Sequence, residues 1–124
     1  MKSTLAAALA LAVILGPSAA RAGDAAAGAQ VFRRICSTCH IATAEGRRGV
    51  GPTLFGVVGR KAGTLEGFRY SEANKNSGIV WTPDVLDKYI ENPRAVVPGT
   101  IMTYAGLRTE ADRANVIAYL ETLK

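Results

Sequence analysis

One histidine, two cysteines and one tryptophan are all that the 124-residue chain has of the scarcer side chains. His40 stands beside Cys36 and Cys39, and no second cysteine or histidine cluster exists to complete a four-ligand zinc site. A disulfide across two intervening residues would close a tiny loop and restrict little unfolded-state entropy, so a structural staple is a poor reading. No run alternates between apolar and polar with period two, which argues against a sheet and against the strand-first setting of a thioredoxin-type pair. Internal repeats are absent, and low complexity is confined to the alanine-rich start and residues 25–27. The one long apolar run, residues 5–15, is too short for a helix crossing a bilayer, which takes about 20 residues.

That run has the context of a secretory signal peptide. Lys2 precedes it, Gly16-Pro17 follows, and Ala20-Arg21-Ala22 ends in the small-residue pattern of a cleavage site. The expected division is a signal peptide over 1–22 and a single domain over 23–124. A domain of that size has a modest core, to which a bound group adds much. Fifteen Lys and Arg stand against ten Asp and Glu, a net +5; without Lys2 and Arg21 the balance is thirteen against ten, or +3. Export, the scattered basic residues and the lack of interleaved aromatics argue against nucleic acid.

Helical spacing organises what remains. Asp24 can cap a helix with apolar positions Val31, Phe32, Ile35, Cys36 and Cys39, interrupted by Gly28, whose roughly 1 kcal/mol cost points to a backbone passing closely. Residues 46–67 are rich in glycine and read as a long irregular loop, a length that is usually functional. A short helix is expected over 71–76, closed by Gly78. A clearer one opens at Thr82-Pro83, carries Val85, Leu86, Tyr89 and Ile90, and stops before Pro93. Residues 92–106 read as loop. Thr109 and Asp112 resemble a capping box, with Asp for Glu, opening a last helix with Val116, Ile117, Leu120 and Leu123 inward.

Cys36-Ser37-Thr38-Cys39-His40 is the C-x-x-C-H pattern of c-type haem attachment. Two thiols three residues apart on one helical turn can reach both vinyl groups of a porphyrin, and the adjacent histidine then projects under the iron. A pure electron-transfer centre needs a second axial ligand. With Met1 lost in the signal peptide, only Met102 remains, in the proline-bounded loop Pro98-Gly99-Thr100-Ile101-Met102. A soft thioether favours ferrous iron and raises the reduction potential.

With these residues in view, the chain resembles the class I cytochromes c, near the mitochondrial protein and the short soluble cytochromes of bacterial periplasms. The likeness spans nearly all of 23–124 and runs through Gly51-Pro52-Thr53-Leu54, Gly59-Arg60-Lys61-Ala62-Gly63, Gly67-Phe68-Arg69-Tyr70-Ser71, Ala73-Asn74-Lys75, Gly78-Ile79-Val80-Trp81, Tyr89-Ile90-Glu91-Asn92-Pro93 and Pro98-Gly99-Thr100. It implies an all-α fold of four or five helices with long loops around one covalent haem c, the first and last helices crossing where Gly28 and Phe32 meet Val116, Tyr119 and Leu120. It also implies His40 and Met102 as iron ligands, with the Pro52 carbonyl accepting the His40 Nδ1 proton. Arg60, Tyr70 and Trp81 would bind the propionates, and Asn74, Tyr89 and Thr100 would form the polar set around the buried propionate and the methionine.

The resemblance further implies a monomeric periplasmic one-electron carrier that docks transiently on membrane redox complexes, from a cytochrome bc-type donor to an oxidase or photosynthetic reaction centre, after loading by haem-attachment machinery. The competing expectations are a peroxidase or small-gas sensor with an open sixth site and an obligate dehydrogenase subunit; neither has a sequence feature of its own. One departure bears on partners. Ile35 and Ile101 stand where the mitochondrial pattern has lysines at the haem edge, leaving Arg33, Arg34, Arg94 and Arg108 as the nearby charges and predicting weaker electrostatic steering. Tyr104 stands where an aromatic residue covers the haem.

Overall fold

In a computed structural model of the chain, residues 23–45 and 49–124 are described; the signal-peptide expectation for 1–22 lies outside them, as do three residues of the glycine-rich segment, 46–48. The described residues form five α-helices: α1 (Ala25–Arg34), α2 (Glu72–Lys75), α3 (Pro83–Glu91), α4 (Pro93–Val96) and α5 (Glu110–Glu121). The expected all-α class I cytochrome c architecture is therefore met, with one isolated bridge between Lys61 and Val80 as its only extended pairing among those residues. None of the helices is long and apolar enough to cross a membrane.

The Asp24 carboxylate accepts the Ala26 and Ala27 amides at 2.8 and 3.2 Å, satisfying two donors that the start of α1 would otherwise leave open. The apolar spacing carries this helix on to Cys39, but the backbone tightens after Arg34. Cys36–Thr38 form a 3-10 turn in which the Cys39 and His40 amides both bond the Cys36 carbonyl, at 3.1 and 2.9 Å. In that winding residues i and i+3 eclipse, which puts both cysteines on one side.

α1 crosses α5. Any Cβ on Gly28 would run into the Asn115 carbonyl, which is the close backbone that the glycine points to. Val31 and Phe32 meet Val116, Ile117 and Leu120 in one core, and the Phe32 and Tyr119 rings lie 5.3 Å apart. The Thr109 capping box does not form: Thr109 makes no side-chain cap, and Asp112 is one methylene shorter than the Glu that reaches back in that motif. Thr82 and Ser71 do cap, accepting the Val85 and Asn74 amides at 3.3 and 3.1 Å.

Residues 92–106 are not loop throughout. Asn92 ends α3 and its side chain accepts the Ala95 amide at 3.3 Å, while Pro93 takes the first position of α4, where a missing N–H costs nothing. The long glycine-rich segment is pinned by pairing with 79–81: Ala62 donates to the Ile79 carbonyl at 2.8 Å and Trp81 to that of Arg60 at 3.0 Å. Arg60 and Trp81 are thereby held side by side.

Candidate functional site

The 3-10 turn after α1 presents Cys36 and Cys39 as free, half-buried thiols, followed directly by His40. A second segment runs beside this motif, with the Gly51 amide on the Cys39 carbonyl at 2.8 Å and the Leu54 amide on that of Ile41 at 2.9 Å. The pairing brings the Pro52 carbonyl to 2.7 Å from His40 Nδ1. A carbonyl only accepts, so Nδ1 carries the proton and the Nε2 lone pair is left free. Burial pushes the His40 pKa down, with the Pro52 hydrogen bond opposing it; the neutral imidazole this favours is the form that binds metals. Burial also pushes the Cys36 thiol up to about 11.

Arg60 braces the segment, donating through Nη1 to the Phe55 carbonyl and through Nη2 to that of Thr53, both at 3.1 Å. Met102 enters from the loop between α4 and α5. Its amide bonds Thr100 Oγ1 at 3.2 Å, and the Tyr89 hydroxyl, carried by α3, donates to its Sδ at 3.3 Å. Burial raises the Tyr89 pKa while a hydrogen bond with Thr100 lowers it, so the phenol stays protonated and able to donate. The Trp81 ring packs on Tyr89 with centroids 4.7 Å apart, and Tyr70 meets Phe68 edge-on at 4.8 Å.

These elements enclose a cavity of about 490 Å³, within the range of cofactor sites. All eleven residues predicted for the site line it: Cys36, Cys39 and His40 from the turn, Pro52 and Arg60 from the pinned loop, Tyr70, Asn74 and Trp81 beyond it, and Tyr89, Thr100 and Met102 from α3 and the following loop.

The residues present fit a covalent haem. Two thiols and a neutral imidazole share the cavity with a thioether, a soft donor suited to iron, and Arg60 is the single charged residue lining it among the described residues. Asn74 Oδ1 is buried without a hydrogen-bond partner, as expected of a group that meets a polar part of a ligand. Leu86, Val116 and Leu120 are legible in the sequence as apolar helix positions, but that they wall the cavity together with Leu54 and Val57 is seen only in the fold. Gly51 stands in the sequence only as part of a motif. A Cβ there would lie 2.7 Å from His40 Nδ1 and 3.0 Å from Nε2, so the missing side chain is what admits the imidazole.

Comparison with known proteins points the same way. The family described as cytochrome c matches residues 25–124. A cytochrome c2 of Rhodopila globiformis is 57% identical over 102 residues, covering 82% of this chain and 95% of its own. A cytochrome c2 of Rhodomicrobium vannielii is 49% identical over 122 residues, 98% of this chain and 97% of its own. A cytochrome c of Trypanosoma brucei brucei is 62% identical over 79 residues, 64% of this chain and 85% of its own.

Proposed function

The chain belongs to the cytochrome c family, and from that premise we propose a monomeric one-electron shuttle working in the periplasm between membrane redox complexes. Its donor is of the cytochrome bc type and its acceptor an oxidase or a photosynthetic reaction centre. The protein is a small electron carrier with one covalent haem c, not an enzyme. When bound, the haem supplies a reversible one-electron couple whose potential thioether ligation raises.

The observation that carries this reading is the Tyr89 hydroxyl on Met102 Sδ, in the cavity that His40 also lines. A thioether with a fixed hydrogen bond is a positioned ligand, whereas a core-filling methionine has no need of one. His40 and Met102 would then hold the iron between them and leave no position for peroxide or a gas. Pro52 fixes the imidazole tautomer, and Arg60, Tyr70 and Trp81 supply donors for the propionates. Asn74 and Thr100 complete the polar set.

Cys36 and Cys39 would hold the haem covalently, each thiol adding its S–H across one vinyl group. A thiolate is the reactive form, and a thiol pushed up to about 11 supplies almost none at neutral pH. That favours attachment by dedicated machinery outside the cytoplasm, in keeping with an exported chain.

The visible spectrum of the exported, haem-loaded ferric protein tests the reading. The weak long-wavelength charge-transfer band of thioether-ligated haem is expected, and Met102→Ala should abolish it and open the ferrous protein to carbon monoxide. Absence of the band in the unmodified protein, with ready carbon monoxide binding, would move the peroxidase or sensor reading to first place.

A further inference from the structure

Arg113 is the one charged side chain buried among the described residues, 6 % exposed, and it lines no part of the haem cavity. Its Nε donates to Asp87 Oδ1 on α3 at 2.7 Å, while Nη1 donates to the carbonyls of Leu107 and Arg108 at 3.0 and 2.9 Å. Glu91 Oε1 lies at 3.9 Å. A buried ion pair is weak as a stabilising device, because desolvation offsets most of its Coulomb gain and an apolar replacement is often neutral or better. The geometry it enforces is the better place to look for its role.

That geometry concerns the loop bearing Met102. Among the described residues, 101–106 make no backbone–backbone hydrogen bond, so the loop is shaped from its ends. At one end the Thr100 amide bonds the carbonyl of the buried Val97 at 3.0 Å. At the other, the Leu107 amide bonds the Ile90 carbonyl at 2.9 Å while the Leu107 carbonyl takes the Arg113 guanidinium. Gly106 completes the anchor at φ +125°, where any Cβ would strike the Glu91 carbonyl. Leu107 is thus locked to α3, which carries the Tyr89 hydroxyl bonded to Met102 Sδ.

We infer that Arg113 is a positioning residue for Met102: its planar fork ties the return end of the methionine loop to α3 and so sets how firmly the thioether is held at the iron. The inference rests on Met102 being the sixth ligand. A lysine could still reach Asp87, but its single ammonium cannot hold a carboxylate and two carbonyls in the same plane.

The test is imidazole binding to the haem-loaded ferric protein, since imidazole competes with the thioether for iron. Arg113→Lys should bind it more tightly by on the order of tenfold, a typical coupling between two sites, and show a weakened long-wavelength band well below the unfolding temperature. Ile117→Val, on the buried face of the same helix and outside the cavity, should lower global stability with unchanged imidazole affinity. Should the Arg113 variant fail to fold, the unmodified protein decides by reciprocity. Imidazole should then speed hydrogen exchange of the Leu107 amide and Arg113 Nε–H while leaving that of the Phe32 amide alone. Unchanged affinity in a folded Arg113→Lys protein, or unchanged exchange at Leu107 and Arg113, overturns the inference. A wild-type spectrum without the band would instead bring down the Met102 reading on which it stands.

Discussion

Around His40 the deciding feature is a side chain that is missing. The ring lies where a Cβ on residue 51 would be, within 2.7 Å of Nδ1 and 3.0 Å of Nε2, and Pro52 next along supplies the carbonyl that orients it. Gly51→Ala should therefore move the imidazole or the loop, at about 1–3 kcal/mol, the usual cost of forcing a methyl into a packed site. A lower denaturant midpoint, with a shifted His40 Nδ1–H resonance, is the expected result. Tyr89 gives a second test at the same scale. Its hydrogen bond drains electron density from Met102 Sδ, and a poorer donor favours ferrous over ferric iron. Removing the hydroxyl in Tyr89→Phe should lower the potential by roughly 20–60 mV, taking ~59 mV per tenfold for one electron. Cyclic voltammetry reads the sign directly, and an unchanged or higher potential would mean that the sulfur is not tuned in this way.

Among the helices, the α1–α5 crossing inverts the usual rule for glycine. Alanine is ordinarily better in a helix by about 1 kcal/mol, yet at Gly28 the added methyl meets the Asn115 carbonyl and the Tyr119 side chain. Gly28→Ala should destabilise, by about 2 kcal/mol or more, lowering the denaturation midpoint with an unchanged slope. Two threonines that look alike in the sequence should also part. Thr82→Ala removes a formed cap and should cost about 1 kcal/mol, whereas Thr109→Ala removes none and should stay within about 0.5 kcal/mol. Such contrasts mark what was legible. Caps followed by proline at the first helical position, as at Thr82-Pro83, were readable because both residues act locally. The end of α1 at Arg34 and the start of α4 at Pro93 were not, because one reflects the tightening of the cysteine turn and the other a proline that stops one helix by opening the next.

Over the whole molecule, the convergence of Pro52, Arg60, Tyr70, Asn74, Trp81, Tyr89 and Thr100 on the cavity of Cys36, Cys39, His40 and Met102 was legible only because their order along the chain matched a known family; no spacing rule links Pro52 to His40 or Tyr89 to Met102. Arg113 stayed hidden for the converse reason, since an arginine in a helix reads as a solvated charge until the path of 106–108 is known. The cavity mouth was half legible, through the isoleucines where lysines were expected. Of the described residues lining the cavity, four are exposed, Thr38, Val50, Ile101 and Thr103, and none is charged. Val50 and Ile101 are 82 % and 64 % exposed. Arg33, Arg34, Arg94 and Arg108 are exposed but do not line the cavity, so salt screens them more effectively than it would a charge on the rim, with a Debye length of about 10 Å at 0.1 M. Oxidation of the reduced protein by hexacyanoferrate(III), a trianion, should accordingly depend only weakly on ionic strength. Ile101→Lys puts a cation at the mouth and should raise that rate roughly threefold to tenfold at low salt, an advantage that vanishes near 1 M. A slope already as steep in the unmodified protein would assign the steering to the four arginines and leave the apolar rim with short-range contact alone.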